Sequence, residues 1–99
     1  MRIFVCEYVT GGGLCGQPLP ASLSREGDMM LTALVKDLAS LDGVEIVTTR
    51  DKRLPALRAK ADVLMIDEPG EFWPGWTELI RSADVVWPIA PESGGILSR

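Results

Sequence analysis

The stretch that decides the fold of this chain is residues 2–16, RIFVCEYVTGGGLCG. An apolar run opens it, Glu7 interrupts that run, and four glycines then fall within the six residues 11–16. A buried strand that leads into a glycine-rich turn is typical of open α/β sheets, which bind ligands at the carboxyl ends of their strands. Glycine lets backbone N–H groups approach a ligand that a Cβ atom would hold away. The sequence therefore predicts a binding loop at residues 11–16.

The composition restricts the class of protein. A chain of 99 residues fits a single domain. No apolar run approaches the roughly 20 residues that span a membrane, and Glu7 interrupts the apolar start that a signal peptide would need. The net charge is −4 and the basic residues are scattered, so the footprint of a nucleic-acid-binding protein is missing. We expect a cytoplasmic protein with neither a membrane nor a nucleic-acid partner.

The chain contains no histidine. Catalysis by a Ser-His-Asp or Cys-His arrangement within the chain is thereby excluded, together with most zinc sites. The two cysteines, Cys6 and Cys15, form neither a metal-ligand pair nor a disulfide framework. Any chemistry must therefore use carboxylates, backbone amides or residues supplied from elsewhere.

Four short runs rich in Val and Ile predict strands. They are Arg2–Tyr8, Val44–Thr49, Asp62–Ile66 and Asp84–Ile89. Three of these runs are almost continuously apolar, which is typical of strands that helices bury on both faces of a parallel sheet. We therefore expect Cys6, Ile66 and Ile89 to lie on neighbouring parallel strands whose following turns converge on one cleft.

Apolar residues at three- and four-residue spacing predict the helices. The clearest helix is expected over Ser22–Leu41, a short one over Pro55–Lys60 and a third over Phe72–Ser82. Trp87 is expected in the core. The predicted fold is a three-layer, Rossmann-like α/β domain with a mainly parallel sheet of about four strands.

Gly11, Gly13 and Gly16 match the spacing of the dinucleotide-binding fingerprint. In that fingerprint the third glycine lies in the first turn of a helix, whereas Pro18 and Pro20 delay the helix here. The acidic residue expected about 20 positions further on is also missing. A dinucleotide-binding domain remains an alternative, as does a surface loop that binds nothing.

Carboxylates follow the ends of three predicted strands. Glu7 follows the first, Glu92 the fourth, and Asp67, Glu68 and Glu71 the third. The last three are typical of a solvated turn before a helix, where the helix dipole favours negative charge. Glu7 and Glu92 are the stronger candidates for binding a substrate.

Several segments together resemble a known family. They are Glu7-Tyr8 followed by glycines, residues 24–31 (SREGDMML), residues 83–92 (ADVVWPIAPE) and Ile96-Leu97. In this pattern the chain is similar to the start of an ATP-grasp carboxylate–amine ligase, and among these to the tyramine–glutamate ligase group of methanofuran biosynthesis. The resemblance implies a pre-ATP-grasp domain. Because the sequence stops where a further helix would begin, we expect residues 1–99 to be the N-terminal part of a longer chain.

The resemblance also implies that different domains of the protein bind the nucleotide and the substrate. ATP and Mg²⁺ would be bound by later ATP-grasp domains of the same chain, so residues 1–99 would need no cofactor and would be inactive alone. Their partners would be those domains and a small-molecule substrate, and a homodimer is left open. A stand-alone flavodoxin-like binding or regulatory module remains an alternative. The residues that would face the substrate are Glu7, Tyr8, Gly11, Gly12, Gly13, Glu26, Gly27 and Glu92.

Overall fold

A computed structural model describes residues 1–89 of the chain, which contain both strands and helices. The elements in chain order are β1 (Arg2–Glu7), a π-helical turn (Val9–Gly13), α1 (Ala21–Ala39), β2 (Glu45–Asp51), β3 (Asp62–Ile66), a 3-10 turn (Pro69–Glu71), α2 (Phe72–Ser82) and β4 (Val85–Ile89). Glu92 and the predicted start of a further helix lie outside the described residues.

The four strands form one sheet in the order β3-β2-β1-β4, and every neighbouring pair is parallel. All carboxyl ends of the strands therefore meet at one edge, which we call the carboxyl edge. This arrangement confirms the predicted parallel sheet. It also corrects one expectation: β2 lies between β1 and β3, so Cys6 and Ile66 are not on adjacent strands.

Each face of the sheet packs against one helix. Helix α1 buries Leu31, Val35 and Leu38 against one face of β1 and β2, where they join Ile3, Val5 and Ile46. On the opposite face, Leu79 of α2 packs with Phe4, Cys6 and Val47. Consecutive side chains of a strand point to opposite faces, so β1 contributes residues to both clusters. The three-layer α/β architecture is thereby confirmed.

The segment between β2 and β3 contains no helix, so the prediction for Pro55–Lys60 is wrong. Leu57, Ala59 and Ala61 are partly buried and pack against the α1 side of the core. Their spacing of two residues is that of an extended chain, because alternate side chains then point inward. A helix of six residues would also gain too little from its few hydrogen bonds to form unaided.

Two side-chain burial expectations are also wrong. Trp87 is not a core residue, since 43% of its surface is exposed. It lies on β4, which has β1 as its only neighbour among the described strands. The apolar run of β3 is not covered on both faces either: Val63, Leu64 and Met65 are all exposed, because β3 lies at the other end of the sheet.

Helix α1 begins at Ala21, directly after Pro20 in an extended conformation. Proline lacks the N–H that a helix interior requires, which explains why the helix does not begin earlier. Within residues 1–89, no helix combines the length and the apolar character needed to cross a membrane.

Candidate functional site

The Glu7 carboxylate lies at the carboxyl edge, and only 1% of the Glu7 surface is exposed. It accepts hydrogen bonds from the backbone N–H groups of Val9 (3.1 Å) and Thr10 (2.8 Å) and from the Thr10 hydroxyl (2.7 Å). None of the ion pairs within residues 1–89 involves Glu7. Three donors thus stabilise a buried charge in place of a cation. The carboxylate organises the π-helical turn that follows β1.

The first two glycines of the loop belong to that turn and are buried. A Cβ atom at Gly11 would lie 2.7 Å from the Thr49 hydroxyl oxygen, and one at Gly12 would lie 2.7 Å from the Ile66 Cβ. Gly12 also has a φ of 102°, which side chains other than glycine rarely adopt. These two glycines let the turn pack directly on the ends of β2 and β3. That they contact substrate stays a prediction.

Gly13 brings the turn against the ring of Tyr8. A Cβ atom at Gly13 would lie 2.5 Å from the Tyr8 ring, and the Gly13 N–H donates to the Tyr8 carbonyl at 2.9 Å. The ring makes an edge-to-face contact with Phe72, with 5.4 Å between centroids. Even so, 45% of the Tyr8 surface is exposed. Tyr8 is therefore a fixed aromatic side chain that solvent can still reach.

Four aromatic side chains gather on the α2 side of this edge. Trp76 contacts Tyr8, Phe72 and Trp73 at centroid distances of 6.4, 4.7 and 6.1 Å. Trp76 also donates its indole N–H to the buried Thr49 hydroxyl at 2.8 Å. Trp73 is 62% exposed. We call Tyr8, Phe72, Trp73 and Trp76 the aromatic cluster; Trp76 links it to the sheet.

Gly27 lies on the other side of β1, in the second turn of α1. A Cβ atom there would overlap the Glu7 carboxylate, with its Cδ only 2.7 Å away. The structure therefore brings together Glu7 and Gly27, two of the residues that the sequence selected. Glu26 is the neighbour of Gly27 and has an exposed side chain. Its role as a substrate ligand stays a prediction.

A second charged group that the sequence analysis missed holds the loop from the β2 side. The guanidinium of Arg53 donates to both carboxylate oxygens of Asp51, at 3.0 and 2.7 Å, and to the carbonyls of Leu14 and Gln17. These bonds from Arg53 lower the pKa of the buried Asp51 below its usual 3.8. Arg53 thus connects the end of β2 to the loop after the π-helical turn. In the sequence, the one indication of this group was the run of charged residues 50–53 after the apolar part of β2.

Arg50 is almost completely buried and pins the β2–β3 connection. It donates to Asp28 of α1 at 2.6 Å and, through two further nitrogens, to the Pro55 carbonyl at 3.0 and 2.7 Å. A buried guanidinium needs such partners because an unpaired charge in the interior is costly. The same bonds tie the segment after β2, which turns at residues 52–54, to α1.

The acidic residues after β3 stabilise local structure. The Glu71 carboxylate accepts the backbone N–H groups of Asp67 (2.8 Å) and Glu68 (3.1 Å), and these bonds lower the pKa of Glu71. This is the solvated turn that the sequence favoured. Within residues 1–89, no three His, Cys, Asp or Glu side chains lie close enough together to hold a metal ion.

The dinucleotide fingerprint lacks its structural context. Gly16 has a φ of 86° and belongs to a turn, and α1 begins only at Ala21. A pyrophosphate is bound when the third glycine opens the helix, so that the helix N-terminus faces the phosphates. The geometry of residues 11–21 does not provide that arrangement.

A comparison with protein families identifies the domain. The family model described as the pre ATP-grasp 3 domain matches residues 44–99, more than half of the chain. The chain belongs to this family. No curated protein and no solved structure matches it. The match confirms the pre-ATP-grasp domain that the sequence indicated. The matched region includes Thr49, Arg53, α2 and Glu92. Glu7, Tyr8 and the glycines of residues 11–16 precede the matched region.

Proposed function

We propose that this pre-ATP-grasp domain is the substrate-side domain of an ATP-dependent carboxylate–amine ligase. Two findings support the proposal: the family match over residues 44–99 and the likeness of residues 7–31 to the start of such ligases. In a doubly wound sheet, ligands bind outside the carboxyl ends of the strands, where the strand order reverses. In this sheet the order reverses between β1 and β4, because the chain leaves β1 for β2 on one side and later returns to β4 on the other.

The observation that carries the proposal is the position of Tyr8. It directly follows β1, at the point where the order reverses, and it is a half-exposed member of the aromatic cluster. Gly13 and Phe72 support the ring, so little side-chain freedom remains to be lost when a ligand binds. An aromatic ring with a hydroxyl group offers both an apolar surface and a hydrogen-bonding group. Tyr8 is thus suited to orient a small organic substrate.

Glu7 and the buried glycines serve this surface indirectly. The Glu7 carboxylate accepts its three hydrogen bonds from Val9 and Thr10. Gly11 and Gly12 pack against β2 and β3. We therefore assign them positioning roles: they fix the π-helical turn and, through it, the ring of Tyr8. A ligase gains rate when its acceptor amine is held near the activated carboxyl group, so a rigid support matters for function.

The aromatic cluster indicates which class of amine the ligase would use as its substrate. Exposed Tyr8 and Trp73 flank buried Phe72 within the aromatic cluster, and aromatic rings attract one another edge to face. This favours an aromatic amine, in line with the likeness to the tyramine–glutamate ligase group. We propose tyramine or a related arylalkylamine as the amine and glutamate or a related carboxylate as the acid.

ATP and Mg²⁺ belong, in this proposal, to ATP-grasp domains of the same protein. The donor groups of residues 1–89 do not fit a metal ion, and no glycine-rich turn there opens a helix. The domain would therefore contribute binding and orientation of the substrate, with nucleotide chemistry supplied elsewhere.

The test is a ligase assay on the protein that joins this domain to its ATP-grasp domains. We expect Tyr8→Ala to raise the KM for the amine by about tenfold or more, as loss of a binding contact does, with little change in the KM for ATP. Leu41→Ala is the control, because Leu41 is 54% exposed and follows the carboxyl end of α1, at the opposite edge of the sheet. Equal effects of both variants, or a rise in the KM for ATP alone, would refute the proposed role of Tyr8.

A further inference from the structure

The strand β3 presents an apolar edge that no other described strand covers. Val63, Leu64 and Met65 are 37%, 41% and 46% exposed, and β3 pairs only with β2. Natural proteins protect edge strands with proline, lysine or bulges because an open edge can pair with another chain. None of these devices occurs within Asp62–Ile66. The edge is therefore suited to pairing.

The backbone of β3 is oriented for such pairing. The Ile66 carbonyl accepts the Lys52 N–H at 3.2 Å and so points towards the β2 side. Successive residues of a strand turn their N–H and C=O groups to opposite sides. The N–H and C=O groups of Val63 and Met65 therefore point away from β2, towards the open edge.

We propose that a second copy of this chain pairs with that edge, antiparallel, about a two-fold axis through Leu64. In this register Val63 lies opposite Met65 of the partner subunit. Because both residues turn their backbone groups outward, they can exchange hydrogen bonds in the manner of an antiparallel ladder. The contact is the same surface on both copies, as two-fold symmetry requires, and it joins the four described strands of each copy into one sheet.

Charge complementarity selects this register. Counting outward from Leu64, Lys60 lies opposite Glu68 of the partner subunit, so opposite charges face each other at both ends of the contact. A register centred on Met65 would place Asp62 opposite the partner's Glu68, and like charges directly opposite are destabilising. A register centred on Val63 would place Lys60 opposite the apolar Ile66 of the partner subunit and so lose this charge pair. Of the three registers, the one centred on Leu64 brings Lys60 opposite Glu68.

The surface beside the strand offers room for the second copy. A groove of about 350 Å³ runs along β3 on the α2 side. It is lined by Leu64, Met65, Ile66, Gly70, Glu71, Pro74 and Gly75. Leu64 lies on this face, since its side chain is next to Gly75 of α2. In the dimer the two Leu64 side chains meet on the axis, at the mouth of this groove. The assembly does not depend on the proposed ligase function.

Sedimentation equilibrium on the full protein tests the assembly. The native protein is expected to dimerise, and Val63→Lys is expected to raise the dissociation constant by about tenfold or more, because a lysine ammonium loses water at an apolar contact. Met29→Lys is the matched control, since Met29 is 71% exposed and lies on α1, which packs over β1 and β2. A native protein that stays monomeric at high concentration would overturn the proposal. So would equal dimerisation of the native protein and the Val63→Lys variant.

Disulfide cross-linking tests the register separately. Leu64→Cys is expected to form an interchain disulfide under mild oxidation, because residues paired directly across two strands have Cβ atoms about 4.5–5.5 Å apart. Val63→Cys, one residue away, is expected to cross-link poorly, since its copies would be diagonal neighbours about 7–8 Å apart. Circular dichroism checks that both variants are folded. Cross-linking of Val63→Cys that equals or exceeds that of Leu64→Cys would contradict the register.

Discussion

Replacing Gly27 by alanine tests the contact between α1 and the end of β1. In the interior of an exposed helix this change is favourable by about 1 kcal/mol. At Gly27, however, the new Cβ would overlap the Glu7 carboxylate, whose Cδ lies 2.7 Å from the ideal Cβ position. Three hydrogen bonds hold that carboxylate in place, and overpacking of this kind costs about 1–3 kcal/mol. The expected result is a net loss of about 1 kcal/mol in the free energy of unfolding, the middle of the range of about 0–2 kcal/mol that the two effects leave.

Urea denaturation followed by tryptophan fluorescence measures this loss. For a domain of this size, each kcal/mol also lowers the Tm by about 4–8 °C. Gly70→Ala is the control, because a Cβ there meets no atom within 4 Å. Glu7→Asp shortens the acid by one methylene and withdraws it from α1, so Gly27→Ala in that background should cost less. A Gly27→Ala protein more stable than the native one, as expected of an unhindered glycine in a helix, would refute this account of the contact.

Three further results are expected. Arg53→Met should lower the Tm at neutral pH, because the variant loses the pair with Asp51. Arg53 lowers the pKa of Asp51 in the folded protein. The stability from this pair is therefore fully present above the ordinary aspartate pKa near 3.8, and it is lost as the pH falls through the lower pKa of folded Asp51. Thermal scans should therefore show the Tm difference shrinking below pH 4, and a difference that grows in acid would contradict the pairing. Thr49→Val should lower the free energy of unfolding by about 1 kcal/mol, because the Trp76 indole N–H loses its acceptor. Thr49→Ser keeps the hydroxyl and is the control; urea denaturation should show a smaller loss of stability for it. Burial, with a smaller contribution from Glu7, raises the pKa of the Cys6 thiol to about 11. Iodoacetamide at pH 8 should therefore label Cys6 far more slowly in the native protein than in the urea-unfolded protein. Equal labelling rates, measured by peptide mass spectrometry, would show that Cys6 is not buried.

The elements that local pattern determines were predictable from the sequence. Helix α1 follows from its apolar spacing and from the prolines before it, and both β3 and α2 have the predicted bounds. The error at Pro55–Lys60 arose because Leu57, Ala59 and Ala61 also allow an extended chain, which contact with the core then favours. A short apolar segment does not by itself distinguish the two periods.

Strand order and long-range contacts were beyond the sequence pattern. An apolar strand in the middle of a sheet and one at its edge look alike. The apolar run of β3 and Trp87 were therefore expected to be buried, although Trp87 and residues 63–65 of β3 are exposed. At the candidate site, Glu7 and Gly27 were both selected, but their contact depends on how α1 packs over β1. The bond from Arg53 to Leu14 spans 39 residues, and no local spacing indicates it.

Isothermal titration calorimetry with MgATP tests the central claim most directly, namely that this domain orients substrate and leaves the nucleotide to other domains. Residues 1–99 alone should give no saturable heat with MgATP, whereas the protein that includes the ATP-grasp domains should bind it. Stoichiometric, saturable binding of MgATP by residues 1–99 would contradict the claim.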